Sequence, residues 1–70
     1  MPVTMCEIGK IVKVLRIIGT DAVRQRLTEM GFHSGSDITV VSNNGGSLIL
    51  SVKGVRIALD IHMANRLIVA

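Results

Sequence analysis

Residues 38–59, ITVVSNNGGSLILSVKGVRIAL, contain three short segments of alternating apolar residues separated by two turns. Alternation with a period of two is typical of strands that bury one face, because successive side chains point to opposite sides. The Asn and Gly residues at 43–46 tolerate a positive φ and predict the first turn, and Lys53 and Gly54 predict the second. The stretch therefore predicts three consecutive antiparallel strands.

The lengths of the two turns set the register of these strands. A three-residue loop at 44–46 and a two-residue turn at 53–54 bring every strictly alternating apolar residue onto one face, as the pleat demands. That face is expected to form the core, with Val40, Leu50, Ile57 and Leu59 inside it. The predicted cross-strand pairs are Val40 with Leu50, Ile38 with Val52, Leu50 with Ile57, and Leu48 with Leu59.

On the N-terminal side of this stretch the sequence predicts a strand and a helix. Residues 10–18, KIVKVLRII, are rich in β-branched side chains and contain no Pro or Gly, which favours a strand. A helix is predicted at about 21–30, with Thr20 and Asp21 as cap residues and Gly31 closing it. Its apolar face consists of Val23, Leu27 and Met30.

The two ends of the chain complete the prediction. Residues 60–65 predict one helical turn and 67–69 a last short strand, whereas residues 1–8 are expected to be an irregular lead-in. Several short strands with tight turns and one short helix predict a mainly β fold, a small, five-stranded, partly open barrel. A chain of 70 residues is expected to form a single domain, 1–70.

The predicted register also creates an apolar row on the opposite, outer face of the strands. Val41 falls opposite Ile49, and Ile49 falls opposite Ala58. Exposed apolar rows on small proteins often mark contact sites, so these three residues are the candidate partner-contact residues. The alternative is that the helix at 21–30 or the C-terminal segment covers the row. A polar row beside it is predicted to consist of Thr39, Ser51 and Arg56.

The composition indicates a protein of the cytoplasm. Cys6 is the only cysteine, so no intrachain disulfide can form, which fits a reducing compartment. No apolar run approaches the roughly 18 residues that cross a bilayer, so direct membrane insertion is not expected. The N-terminal residues lack the basic and apolar regions of a signal peptide.

No motif predicts catalysis, a resident metal or a cofactor. Cys6, His33 and His62 do not fall at a chelating spacing such as CxxC or HxxxH. Gly45 and Gly46 are not followed by the Lys-Ser/Thr pair of a phosphate-binding loop. We therefore expect no catalytic residues, no metal ligands and no cofactor, and a function exerted by contact with another protein.

Nucleic-acid binding is the main alternative from another functional class. The net charge is +3, and small barrels can bind single strands. However, the basic residues form no continuous stripe, and base stacking needs aromatic side chains. Phe32 is the only aromatic residue, and its place beside a turn favours a role in the core.

Residues 26–40, RLTEMGFHSGSDITV, resemble the signature of the FeoA family, the small accessory proteins of bacterial ferrous iron uptake. The matching positions include Leu27, Gly31 and Gly35. The resemblance continues through residues 9–12 and 55–64 and so covers nearly the whole chain.

This resemblance implies an SH3-like barrel and a non-enzymatic, cytosolic accessory function. It implies one partner, the cytosolic GTP-binding domain of the membrane ferrous iron transporter FeoB. Self-association is another contact that the outer row could serve. Similar domains occur in metal-dependent repressors of the diphtheria-toxin type, so a repressor domain is a further alternative to the accessory function.

Overall fold

Five strands and two helices make up the structure, a computed structural model that describes residues 1–70. A 3₁₀ helix at Val3–Met5 precedes them. The elements are β1 (Ile11–Ile17), α1 (Asp21–Glu29), β2 (Asp37–Asn43), β3 (Ser47–Val52), β4 (Val55–Asp60), α2 (Ile61–Ala64) and β5 (Leu67–Val69).

The strands form one antiparallel sheet in the order β4-β3-β2-β1-β5. The first half of β1 pairs with β2, and its second half pairs with β5 after a register shift between Val14 and Arg16. Because β1 changes partner along its length, the sheet curls around its inner face. The strands β4 and β5 do not pair, so the barrel stays open, which confirms the predicted architecture.

The β3–β4 hairpin has the predicted register. Val52 pairs with Val55 across the turn, and the predicted partners of Ile57 and Leu59 are confirmed. Lys53 and Gly54 have φ values of 52° and 77°. Two central residues with positive φ are typical of the type I′ turn, whose twist matches that of the flanking strands.

The β2–β3 hairpin departs from the prediction near its loop. Val40 pairs with Leu50 and Ile38 with Val52 as predicted, but the register shifts between Val40 and Ser42. Ser42, and not Val41, therefore lies opposite Ile49. A β-bulge at Val41 adds one residue to β2.

The loop between these strands explains the bulge. Asn43 pairs with Leu48, so the loop has one residue more than the three predicted. The side-chain oxygen of Asn44 accepts hydrogen bonds from the backbone N–H of Gly46 at 3.0 Å and of Ser47 at 2.8 Å. These side-chain bonds stabilise the longer loop, and the bulge compensates for its extra residue so that the core pairs are kept.

Side-chain oxygens cap both helices, and the cap of the first, Thr20, is the predicted one. The Thr20 hydroxyl accepts a hydrogen bond from Val23 N–H at 3.3 Å, and the Asp60 carboxylate accepts one from Met63 N–H at 2.9 Å. The first helix ends at Glu29, and Gly31 follows with a φ of 106°. Leu27 points from α1 into the core and is fully buried, as its place on the apolar stripe predicts.

The core is aliphatic apart from one ring, and it contains no buried polar residue. Val40, Leu50 and Leu59 are buried as predicted, and Phe32 fills the core. Ile57 is only half-buried, contrary to expectation, whereas Leu59, which is nearer to α2 on the same edge strand, is buried. The remaining buried residues are Val3, Val14, Leu27, Ile38, Leu48, Val52, Ala64, Leu67 and Val69.

The N-terminal lead-in is more ordered than the sequence suggested. Val3 is fully buried, and Pro2 forms a bridge with Ile68 in β5. The carbonyl of Met1 accepts a hydrogen bond from Val69 N–H at 2.7 Å, and its amino group donates one to the Val69 carbonyl at 2.9 Å. The lead-in therefore covers the outer edge of β5.

The central position of Leu50 leads to a test of the fold. Leu50→Asp places an unpaired charge in a core that supplies about 3–5 kcal/mol at most in a protein of this size. We expect this variant to lose its cooperative thermal transition in circular dichroism. Ser51→Asp, which adds the same charge on the outer face opposite Arg56, serves as the control and should melt like the wild type. A Leu50→Asp variant that melts near the wild-type temperature would contradict the register.

Candidate partner-contact surface

The candidate contact residues lie on the outer face of the sheet. Ile49 is directly opposite Ala58, as predicted, and both are exposed, Ile49 to 37%. Val41 sits in the bulge of β2, is half-buried, and does not pair with Ile49. The row predicted from the sequence is thus continuous from β3 to β4 and is displaced at β2 by one residue.

A polar row accompanies the apolar one. Thr39, Ser51 and Arg56 lie opposite one another on β2, β3 and β4, as predicted. The outer face therefore carries two parallel rows across the strands. One row is apolar, and the neighbouring row carries hydrogen-bonding and cationic side chains. This pattern is compatible with a surface that is hydrated when free and buried on association.

Neither the helix nor the C-terminal strand covers the outer row. The buried residue of α1, Leu27, joins the same core cluster as Leu48 and Leu50, so the helix docks on the inner face. The C-terminal strand pairs with β1 at the end of the sheet remote from β4. The interpretation in which these segments bury Ile49 is wrong, since the side chain is exposed.

A further apolar residue on the outer face was not found from the sequence. Ile11 is 73% exposed and pairs with Thr39, which places it on the same face as the polar row. Its position depends on the pairing of β1 with β2, which are separated by α1 in the sequence. No local pattern predicts that pairing, so no signal short of the full topology could have identified Ile11.

A groove of about 500 Å³ separates α1 from β4. Pockets for drug-sized ligands begin at about 300 Å³, so the groove is large for a chain of this length. The groove is open to solvent and mostly apolar, which suits an apolar side chain rather than a catalytic step. Its lining consists of Ala22, Val23, Arg26, Met30, Ala58, Leu59, Asp60 and Met63.

The potential metal ligands do not converge. His33 is exposed in the loop between α1 and β2, His62 is exposed on α2, and no group of three His, Cys, Asp or Glu side chains is close enough to hold an ion. Burial raises the pKa of the Cys6 thiol, which outweighs the opposing effect of the nearby N-terminal ammonium group. A thiol with a raised pKa is a weaker ligand and nucleophile at neutral pH than an ordinary one. None of the helices has the length and apolar content to cross a bilayer.

The family model described as the FeoA domain matches residues 1–70. The chain belongs to the FeoA family. It is 34% identical over 68 residues to the "Putative Fe(2+) transport protein A" of Methanocaldococcus jannaschii, an alignment that covers 97% of this chain and 83% of the relative. The family is associated with ferrous iron transport.

Solved structures of the family have the same fold. A crystal structure of the iron uptake regulatory protein FeoA matches with a TM-score of 0.88 and 35% identity, over 99% of this chain and 92% of the other. The FeoA of Stenotrophomonas maltophilia, solved in complex with zinc and described as a procaryotic SH3 domain protein, matches with a TM-score of 0.87 and 28% identity, over 100% and 89%. The SH3-like fold expected from the resemblance is confirmed.

The fold is shared with a chain described as a manganese-dependent transcriptional repressor, which matches with a TM-score of 0.84 at 16% identity, over 94% of this chain and 38% of the other. IdeR of T. acidophilum matches with a TM-score of 0.86, but at 23% identity and over 32% of that protein. At this level of identity the similarity shows the fold alone, because barrels of this shape support many unrelated functions.

The separation of the potential ligands leads to a prediction about iron. Anaerobic titration of the purified protein with Fe(II) should show no saturation at one equivalent, because no three ligands meet at one place. The measurement is isothermal calorimetry, with a Cys6→Ser variant as the control for binding through the thiol. Saturation at one equivalent by the wild type would contradict the prediction.

Proposed function

We propose that this protein is a single-domain, non-enzymatic, cytosolic accessory protein of ferrous iron uptake that binds the GTP-binding domain of the FeoB transporter. The family membership supports the link to ferrous iron transport. The observation that carries the contact mechanism is the uncovered apolar row formed by Ile49 and Ala58, with Val41 beside it.

The outer face has the composition of a contact surface. Burying an apolar side chain removes its surface from water, and this is the main favourable term in protein association. Ile49 is exposed on β3, and Ile11 is exposed on β1 at the level of the polar row. Both side chains are held by paired strands, so little conformational entropy is lost when a partner covers them.

The charge of the protein favours an acidic partner surface. The net charge is +3, and Arg56 lies on the outer face next to the apolar row. A cationic rim beside an apolar centre increases the rate of association with a complementary surface and selects its orientation. The accessory protein would act by stabilising one conformation of its partner, to the extent that it binds that conformation more tightly.

The structure gives less support to the alternative functions. The only aromatic side chain, Phe32, is fully buried and offers no platform on which a nucleic-acid base could stack. A repressor domain is favoured by the shared fold and by no feature of the outer face. The protein-contact function is the one that accounts for the exposed apolar row.

Ile49 provides the direct test of this proposal. Ile49→Asp should leave the thermal transition close to that of the wild type, because the side chain is exposed. It should weaken binding to the cytosolic domain of the transporter by about ten-fold or more, equivalent to about 1.4 kcal/mol, since a charge replaces an apolar contact. Binding is measured by isothermal titration calorimetry with the purified transporter domain.

Thr28→Glu is the matched control, because it adds the same charge to the exposed side of α1, away from the outer face of the sheet. It should bind within about two-fold of the wild type, a difference well below 1 kcal/mol. An Ile49→Asp variant that folds and binds as tightly as the wild type would exclude this face as the contact site. In the same instrument, saturable binding of GTP to the isolated protein would contradict the non-enzymatic function.

A further inference from the structure

One edge of the sheet is uncovered. The two outer strands are β4 and β5, and the N-terminal lead-in covers β5 through the Pro2–Ile68 bridge and the Met1–Val69 hydrogen bonds. No segment pairs with the outer side of β4. A free edge presents unpaired N–H and C=O groups, and it is a ready template for another strand.

The hairpin geometry shows which residues point their backbone groups outward. The two-residue turn makes Val52 and Val55 a hydrogen-bonded pair, and such pairs alternate along an antiparallel ladder. The hydrogen bond from Ile61 N–H to the Gly46 carbonyl, 3.0 Å long, fits the same alternation at the far end of the strand. The odd-numbered residues of β4 therefore bond to β3. The backbone groups of Arg56, Ala58 and Asp60 face the free edge.

These three residues form a self-complementary sequence. Arg56 lies two residues before Ala58, and Asp60 lies two residues after it. Neither charged side chain forms an ion pair within the chain. If a second copy pairs antiparallel about a two-fold axis at Ala58, each Arg56 lies opposite the Asp60 of the other copy. The residues that pair are also those whose backbone groups are free, so charge and hydrogen-bond requirements select the same register.

Other registers are less favourable for electrostatic reasons. A shift of the second strand by two residues leaves both charged residues without opposite partners. A shift by four places Arg56 opposite Arg56, or Asp60 opposite Asp60, and like charges directly opposite are destabilising. The pairing centred on Ala58 is therefore the one that the edge sequence specifies.

The surroundings of β4 leave room for this pairing. A groove of about 500 Å³ lies between α1 and β4 and is lined by Ala58, Leu59 and Asp60 on the strand side, so the second strand would enter between the helix and the edge. A two-fold axis perpendicular to the sheet keeps the outer faces of both copies on one side. The exposed pair of Ile49 and Ala58 then continues into the same pair of the second copy, which lengthens the apolar row.

We propose that two copies of this protein associate through their β4 strands, in the register that places Arg56 opposite Asp60 of the second copy and Ala58 on the two-fold axis. The interface uses the same surface of both copies and therefore closes at two subunits. It is short, and interfaces below about 1,200 Å² in total belong to weak, transient assemblies. The dimer should therefore depend on concentration. The proposal does not rest on the transporter contact, because its tests use the purified protein alone.

The first test is made on the wild-type protein. Sedimentation velocity from micromolar to millimolar concentration should show the mass rising from 7.5 kDa toward twice that value. Amide hydrogen exchange followed by NMR should show that Arg56, Ala58 and Asp60 become protected as the concentration rises. The amides of Ile57 and Leu59 already bond to β3 and should not change, so they are the internal control.

Two outcomes of this test would overturn the proposal. One is a mass that stays at 7.5 kDa at millimolar concentration. The other is protection of the outward-pointing amides only after the cytosolic domain of the transporter is added, which would assign the edge to that partner instead.

The second test exchanges the charges. Arg56→Glu and Asp60→Lys each place like charges opposite one another, and each variant alone should remain monomeric. In a mixture of the two variants, the introduced glutamate lies opposite the introduced lysine, and the unchanged Asp60 of one chain lies opposite the unchanged Arg56 of the other. The mixture should therefore recover the dimer.

The Asp60→Lys variant also removes the cap of α2, so Arg56→Glu serves as an independent test of the register. Arg56→Glu keeps that cap and tests the register even where Asp60→Lys does not fold. An Arg56→Glu variant that dimerises like the wild type would overturn the register. Two folded variants that do not associate when mixed would overturn it equally.

Discussion

Burial of the aliphatic side chains on the inner face of β2, β3 and β4 is the interaction on which the other features depend. Leu48 and Leu50 of the central strand are fully buried between their partners on either side. Each fully buried side chain of this kind contributes about 1.5–3 kcal/mol, a large share of the stability of a 70-residue chain. A slip of one residue would turn the whole set toward solvent, so the core fixes the register.

This constraint explains why the β2–β3 loop and the bulge occur together. The loop held by the side chain of Asn44 has one residue more than the core pairs allow, and the bulge at Val41 takes up the difference. The irregularity appears on the outer face, where the cost of displacing a side chain is small. The consequence reaches the candidate contact surface, because Val41 is displaced from the row while Ile49 and Ala58 remain paired.

The same sheet accounts for the exposed features that bear on function. A small curled sheet with one helix against its inner side leaves most of its outer face and one of its edges without cover. The inner face supplies stability, whereas Ile49 on the outer face is exposed and no strand pairs with the outer side of β4. This division fits a family associated with ferrous iron transport.

The sequence by itself determined the elements that depend on local interactions, whereas the tertiary structure decided what depends on residues distant in the chain. The alternation in β3 and β4, the turn at 53–54 and the Thr20 cap follow from neighbouring side chains, and a hairpin fixes the alignment of adjacent strands, so the pair of Ile49 and Ala58 could be predicted. Only the complete fold placed Ile11 on the outer face, buried Val3 of the lead-in and left the β4 edge without a paired strand. These outcomes depend on which strands become neighbours. That choice is made by the packing of the whole core, and no pattern within a single segment contains it.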